Sequence, residues 1–186
     1  MGDTRQRLIA AAGALLDQGG PAAVTLREVG RAAGVSHNAP YRHFADKQTL
    51  LAAVAAHELA RQGATLSRAD GSSDDVRAVL QGYVRWALRY PERFHLTFGR
   101  WDRDDAELGD AAGGARAALN QAVASAQARG ELPAGDSERL ASLLLALAHG
   151  AADLALAGHL SGAGKGGADA EELVADLFGY LRASVS

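Results

Sequence analysis

Residues 25–51, TLREVGRAAGVSHNAPYRHFADKQTLL, constrain the fold more than any other stretch, because two short helical patterns meet there at a glycine. Thr25 precedes an apolar-periodic run and Glu28 follows three residues later, so hydroxyl and carboxylate can reciprocally satisfy the free amides of a helix start. Leu26, Val29, Ala32 and Ala33 recur at helical spacing, and Gly34 supplies the residue that takes positive φ where this helix stops. Val35 can plug the core and Ser36 can cap a second helix, through which Phe44 returns to the interior. Pro40 falls in the first turn of that helix, where a missing N–H costs little. Two such helices with a short glycine turn predict a helix-turn-helix, whose second helix enters the major groove of DNA.

The segment resembles the amino-terminal domain of the TetR family of transcriptional regulators. Thr25, Ala33-Gly34-Val35-Ser36, Tyr41-Arg42-His43-Phe44, Lys47 and Leu50 match that family's pattern in order and spacing. Many members carry glycine or proline where this chain has Asn38, and Thr-Leu where it has Ala39-Pro40. The resemblance implies an all-α protein: a three-helix DNA-binding domain over residues 1–46, then a larger helical domain over 47–186 for effector binding and dimerisation. It also implies that Thr25, Tyr41, His43 and Lys47 meet phosphate. Ser36, His37, Asn38 and Ala39 lie at the start of the second helix; His37, Asn38 and Ala39 are the candidates for base edges, Asn38 being able to pair bidentately with adenine. Arg42 can reach either backbone or a base.

A formal charge of −3 over 186 residues argues, taken alone, against a nucleic-acid binder. The average conceals an asymmetry, since residues 1–50 hold six basic and four acidic groups, net +2, and the remainder 13 basic and 18 acidic, net −5. A basic head would face phosphates. With no cysteine, thiol nucleophiles, disulfides and cysteine metal sites are excluded. No apolar run reads as long enough to span a bilayer, and Ala10 to Ala14 sits in an amphipathic pattern with Arg7 and Asp17 rather than a signal peptide, so the expected location is the cytoplasm.

The remaining chain also reads as helices. A first helix over 5–18 ends at Gly19-Gly20-Pro21, and Asp46 caps a long one from Lys47 to about 66. Further helices are expected from Ser73 or Asp74 to Pro91, over 91–98, over about 104–129, over 138–160 and over 169–183, with 161–168 as a flexible linker. Helix 138–160 is apolar on nearly all sides and needs cover on two faces. A single chain could bury it internally, or it could pair, with 169–183, against a second copy in the four-helix bundle that the resemblance implies.

Tyr83, Trp86, Phe94, Phe98 and Trp101 gather most of the body's aromatic groups, with Arg85, Arg89, Arg93 and Arg100 interleaved and His149 and Asp153 expected from the facing helix. They read as the lining of an effector pocket or as ordinary core. The segment LALAHGAADL also resembles the body of a TetR subgroup known by a Trp-His-Gly signature, although the tryptophan is absent from this helix. His149 and Asp153 have a spacing that metal ligands use, but without a third ligand a helix-surface hydrogen bond is the simpler reading. No nucleophile elbow, phosphate-cradling loop or catalytic carboxylate pair is recognisable, so neither a catalytic residue nor a cofactor is expected. The resulting expectation is a ligand-responsive repressor binding double-stranded operator DNA as a homodimer, with a small-molecule binding protein of little DNA activity as the alternative.

Overall fold

The computed structural model describes residues 2–68, 70–102, 104–160 and 167–185, the side chains from residue 4 onward. Among these it places nine helices and no strand: α1 (Gly2–Ala23), α2 (Leu26–Ala32), α3 (Ala39–His43), α4 (Lys47–Arg68), α5 (Ser73–Arg89), α6 (Pro91–Phe98), α7 (Ala106–Ala128), α8 (Ser137–Leu156) and α9 (Ala170–Ala183). The helix starts follow local chemistry. Asp46, Asp136 and Asp169 each accept hydrogen bonds from amides two or three residues downstream. At Gly19 and Gly20 the first helix kinks, Gly20 taking a φ of 64° that only glycine adopts freely.

Two compact units result. One comprises Met1–Arg61 with Tyr90–Gly113, the other Gln62–Arg89 with Gly114–Ser186. In the first, α1 to α3 and the start of α4 close around Leu8, Ile9, Ala12, Leu16, Val24, Val29, Phe44, Leu50 and Val54, with Trp101 and Leu96 packed against that core. In the second, α5, α8 and α9 pack mutually. Val76, Leu80 and Val84 of α5 are buried there, as are Ala141, Leu144, Ala148, Ala151 and Ala152 of α8 and Val174 and Phe178 of α9.

Two expectations are revised. α8 ends at Leu156 rather than near residue 160, because Gly158 takes a φ of 76° and the amides of Ala157 and Gly158 turn back on Asp153 and Ala155. α7 runs unbroken through Gly109, Gly113 and Gly114, in keeping with the single helix expected over about 104–129. α8 is also long and apolar enough to cross a bilayer by length and composition, and only 28% of that stretch is buried. The run escapes a sequence reading because Arg139 and Asp153 stand near its ends. The proposed linker over 161–168 lies almost wholly outside the described residues.

Candidate nucleic-acid interface

Thr25 caps α2 as expected, its hydroxyl accepting the Glu28 amide at 3.1 Å. The reciprocal half of that capping box is not formed. The Glu28 carboxylate instead pairs with Arg31 at 2.9 Å, one turn along the same helix. At the other end of α2 the Val35 and Gly34 amides donate to the Gly30 and Arg31 carbonyls, both at 3.1 Å, with Gly34 at a φ of 63°. This is the Schellman arrangement, which satisfies the last carbonyls and reverses the chain. Arg7 of α1 reinforces it by donating to the carbonyl of Ala33 at 2.6 Å, where a cation also meets the negative end of the helix dipole.

The second helix begins two residues later than a Ser36 cap would require. Ser36 contributes its backbone carbonyl, which accepts the Ala39 amide at 2.9 Å, while Asn38 is already in helical conformation and makes no side-chain cap bond. The side chains of Ser36, His37 and Asn38 are consequently all exposed. His37 Nδ1 lies 3.3 Å from the Asn38 side-chain oxygen, a contact that does not engage the donors of the Asn38 amide nitrogen. Pro40 is buried against α2 so closely that a Cβ on Gly30 would come within 2.8 Å of its Cγ. Phe44 is buried at the end of the helix, as its apolar character requires.

The remaining expected contacts divide by exposure. Tyr41 is 52% exposed, with its ring 5.9 Å from that of His37, and Arg42 is exposed beside it. Ala39, His43 and Lys47 are half-buried, and the Lys47 ammonium donates to the Pro21 carbonyl, which leaves it two further donors. Arg27, absent from the expected set, is exposed in the first turn of α2. Its sequence signal is a basic residue two positions after a helix cap, on the face opposite Val29.

The aromatic cluster divides between the two units. In the second, the Tyr83 hydroxyl sits 2.8 Å from His149 Nδ1 and the Tyr83 ring 6.0 Å from Trp86, while Asp153, four residues beyond His149, is exposed. Burial pushes the Tyr83 phenol above its ordinary pKa. In the first, the Phe94 and Phe98 rings meet at a tilt of 51° with centroids 5.7 Å apart, and Thr97 Oγ1 and Trp101 Nε1 are buried without a hydrogen-bond partner among the described residues. Of the interleaved arginines, Arg85 pairs with Glu171 and Arg93 with Asp17 and Glu58.

Residues 8–54 match the family model described as bacterial regulatory proteins, tetR family, and residues 76–179 match a tetracyclin repressor-like, C-terminal domain. Among solved structures, a Rhodococcus sp. RHA1 protein of unknown function is 31% identical with a TM-score of 0.80, covering 97% of this chain and 94% of its own. SmeT, the repressor of the Stenotrophomonas maltophilia multidrug efflux pump SmeDEF, is 24% identical with a TM-score of 0.66, covering 97% of this chain and 89% of its own. FadR from Bacillus subtilis, solved in complex with stearoyl-CoA, is 14% identical with a TM-score of 0.67, covering 97% and 99%. No curated protein matches the chain significantly. Two matched domains in the family's order, on a helix-turn-helix whose turn is built as above, show that the chain belongs to the TetR family of DNA-binding transcriptional regulators.

Proposed function

We propose that the chain is a ligand-responsive repressor that binds its operator as a homodimer in the cytoplasm. The observation that carries the reading is a turn locked from behind by Arg7 and by the Pro40–Gly30 contact, while Ser36, His37, Asn38, Tyr41 and Arg42 stay exposed in front. Rigid placement of polar side chains is what base readout needs. Thr25, Tyr41, His43 and Lys47 hold phosphates, His37, Asn38 and Ala39 face base edges with Ser36 beside them, and Arg42 reaches backbone or base.

Dimerisation is supported by the outer side of α8, where Leu143 is 61% and Leu154 47% exposed, with Leu147 and Gly150 between them at heptad-like spacing. On α9 Tyr180 is 76% exposed. An apolar stripe with a small residue suits a second copy of the same stripe about a two-fold axis. The effector is recognised in the second unit by Tyr83, Trp86 and His149, near Asp153, and the separate Phe94, Phe98 and Trp101 group completes the candidate set. SmeT has been solved with triclosan and FadR with stearoyl-CoA, which favours a largely apolar effector here as well. Effector binding tilts α4, changes the separation of the two heads and so lowers operator affinity.

Fluorescence anisotropy on the duplex upstream of the chain's own gene, against a scrambled duplex at several salt concentrations, tests the reading. Saturable preference at two chains per duplex, weakened by an apolar effector, is expected. Ligand binding without any duplex preference would support a small-molecule binding protein in its place.

A further inference from the structure

α6 is outside the helix-turn-helix, yet its Arg93 is bound to both helices that carry it. Arg93 Nε and Nη2 donate to the two carboxylate oxygens of Asp17 on α1, at 2.8 and 2.6 Å, and Nη1 donates to Glu58 on α4 at 2.7 Å. Glu58 is 2% exposed, and its other oxygen accepts Arg61 at 3.0 Å. The guanidinium lies 4.9 Å from the Tyr90 ring. Space for it is provided by Gly13, where a Cβ would stand 3.0 Å from Arg93 Cζ. Burial opposes the charge of Arg93, but its hydrogen bonds to the carboxylates of Asp17 and Glu58 outweigh that cost and raise its pKa. A two-pronged arginine fork fixes orientation as well as distance.

The consequence lies in α1. Arg7 near its beginning holds the carbonyls of the turn, and Asp17 near its end is held by Arg93. α1 therefore meets the turn through Arg7, and beyond the apolar core it shares with the start of α4 it is tied to Glu58, further along α4, through the Arg93 guanidinium. Resting on the DNA-binding reading above, we propose that Arg93 is a positioning residue for operator recognition, setting the angle of α1 to α3 on α4 without touching DNA.

The test is a comparison of full-length wild type with Arg93→Met and Arg93→Lys on a duplex selected by the wild type, well below the melting temperature. Active fraction is counted by stoichiometric titration. Arg93→Met should weaken binding about tenfold with an unchanged salt slope, because position is lost and no phosphate contact is. Arg93→Lys, which keeps the charge but not the fork, should fall between. Asp17→Asn should show the same signature and add little to Arg93→Met, and it serves in place of Arg93→Met should that variant not fold. Unchanged affinity of the active fraction would reduce the cluster to a structural role and overturn the proposal. A salt slope lowered by about 1 would overturn it in another way, by placing Arg93 on phosphate. Wild-type protein without duplex preference would overturn the DNA reading first, and this proposal with it.

Discussion

Around Phe44 the large aliphatic side chains of α1, α2 and the start of α4 turn inward, and what remains outside is His37, Asn38, Tyr41 and Arg42. On α8 the pattern is reversed: the buried face is mostly alanine, at Ala141, Ala148, Ala151 and Ala152, whereas Leu143 and Leu154 are left outside. Leu144 is the one leucine of that helix among its fully buried residues. The first arrangement completes a core within one chain and offers polar groups to a polar partner. The second uses small residues for close approach inside the chain and keeps its larger apolar area for a surface that must be covered.

Substitutions along α8 sharpen this contrast most. Leu144→Asp buries a carboxylate in a packed site and should destabilise by about 4 kcal/mol or more, which a thermal melt would show as loss of the cooperative transition. Leu143→Asp combined with Leu154→Asp should leave helicity near the wild-type level and yield a monomer by sedimentation. A folded dimer from that double variant would place the interface elsewhere.

In the head, Gly30→Ala should cost about 1–3 kcal/mol, since its Cβ meets the rigid Pro40 ring rather than a flexible side chain. Operator affinity should fall with it, measured on protein still folded at the assay temperature. Asn38→Ala should mainly relax base preference at one position per half-site, by about 1–3 kcal/mol, and equal weakening on every sequence would remove Asn38 from base reading. Lys47→Ala should weaken all sequences alike and lower the salt slope by about 1.

The smallest effect concerns acid. Hydrogen bonds from Arg77 and Arg182 hold the Asp74 carboxyl below its ordinary value. A depressed carboxyl contributes stability that is complete above the ordinary aspartate pKa of about 3.9 and disappears as pH falls through the lowered one. The difference in urea midpoint between wild type and Asp74→Asn should therefore be present at neutral pH and shrink below about pH 4.

How much was legible follows from the reach of each interaction. Caps at Thr25, Asp46, Asp136 and Asp169 and the positive φ of Gly34 involve neighbours within a few residues, so their signals lie in the local sequence. Ser36 misleads because it closes the helix start with its carbonyl, a group every residue carries. Arg7 on Ala33, and Arg93 on Asp17 and Glu58, join residues 26, 76 and 35 positions apart, and nothing in their spacing announces them. Arg93 consequently reads in sequence as one polar group among the aromatics of a candidate pocket. Periodicity likewise marks α8 as apolar without saying which leucines face inward, because both of its faces are apolar for different reasons.

The most direct test is selection of the wild-type protein on a pool of random duplexes, followed by titration of the enriched sequence. A sequence-specific dimer predicts an inverted repeat with half-sites about one helical turn apart, bound by two chains with a steep salt dependence. Failure to enrich any sequence, or saturation by one chain on an asymmetric site, would contradict it.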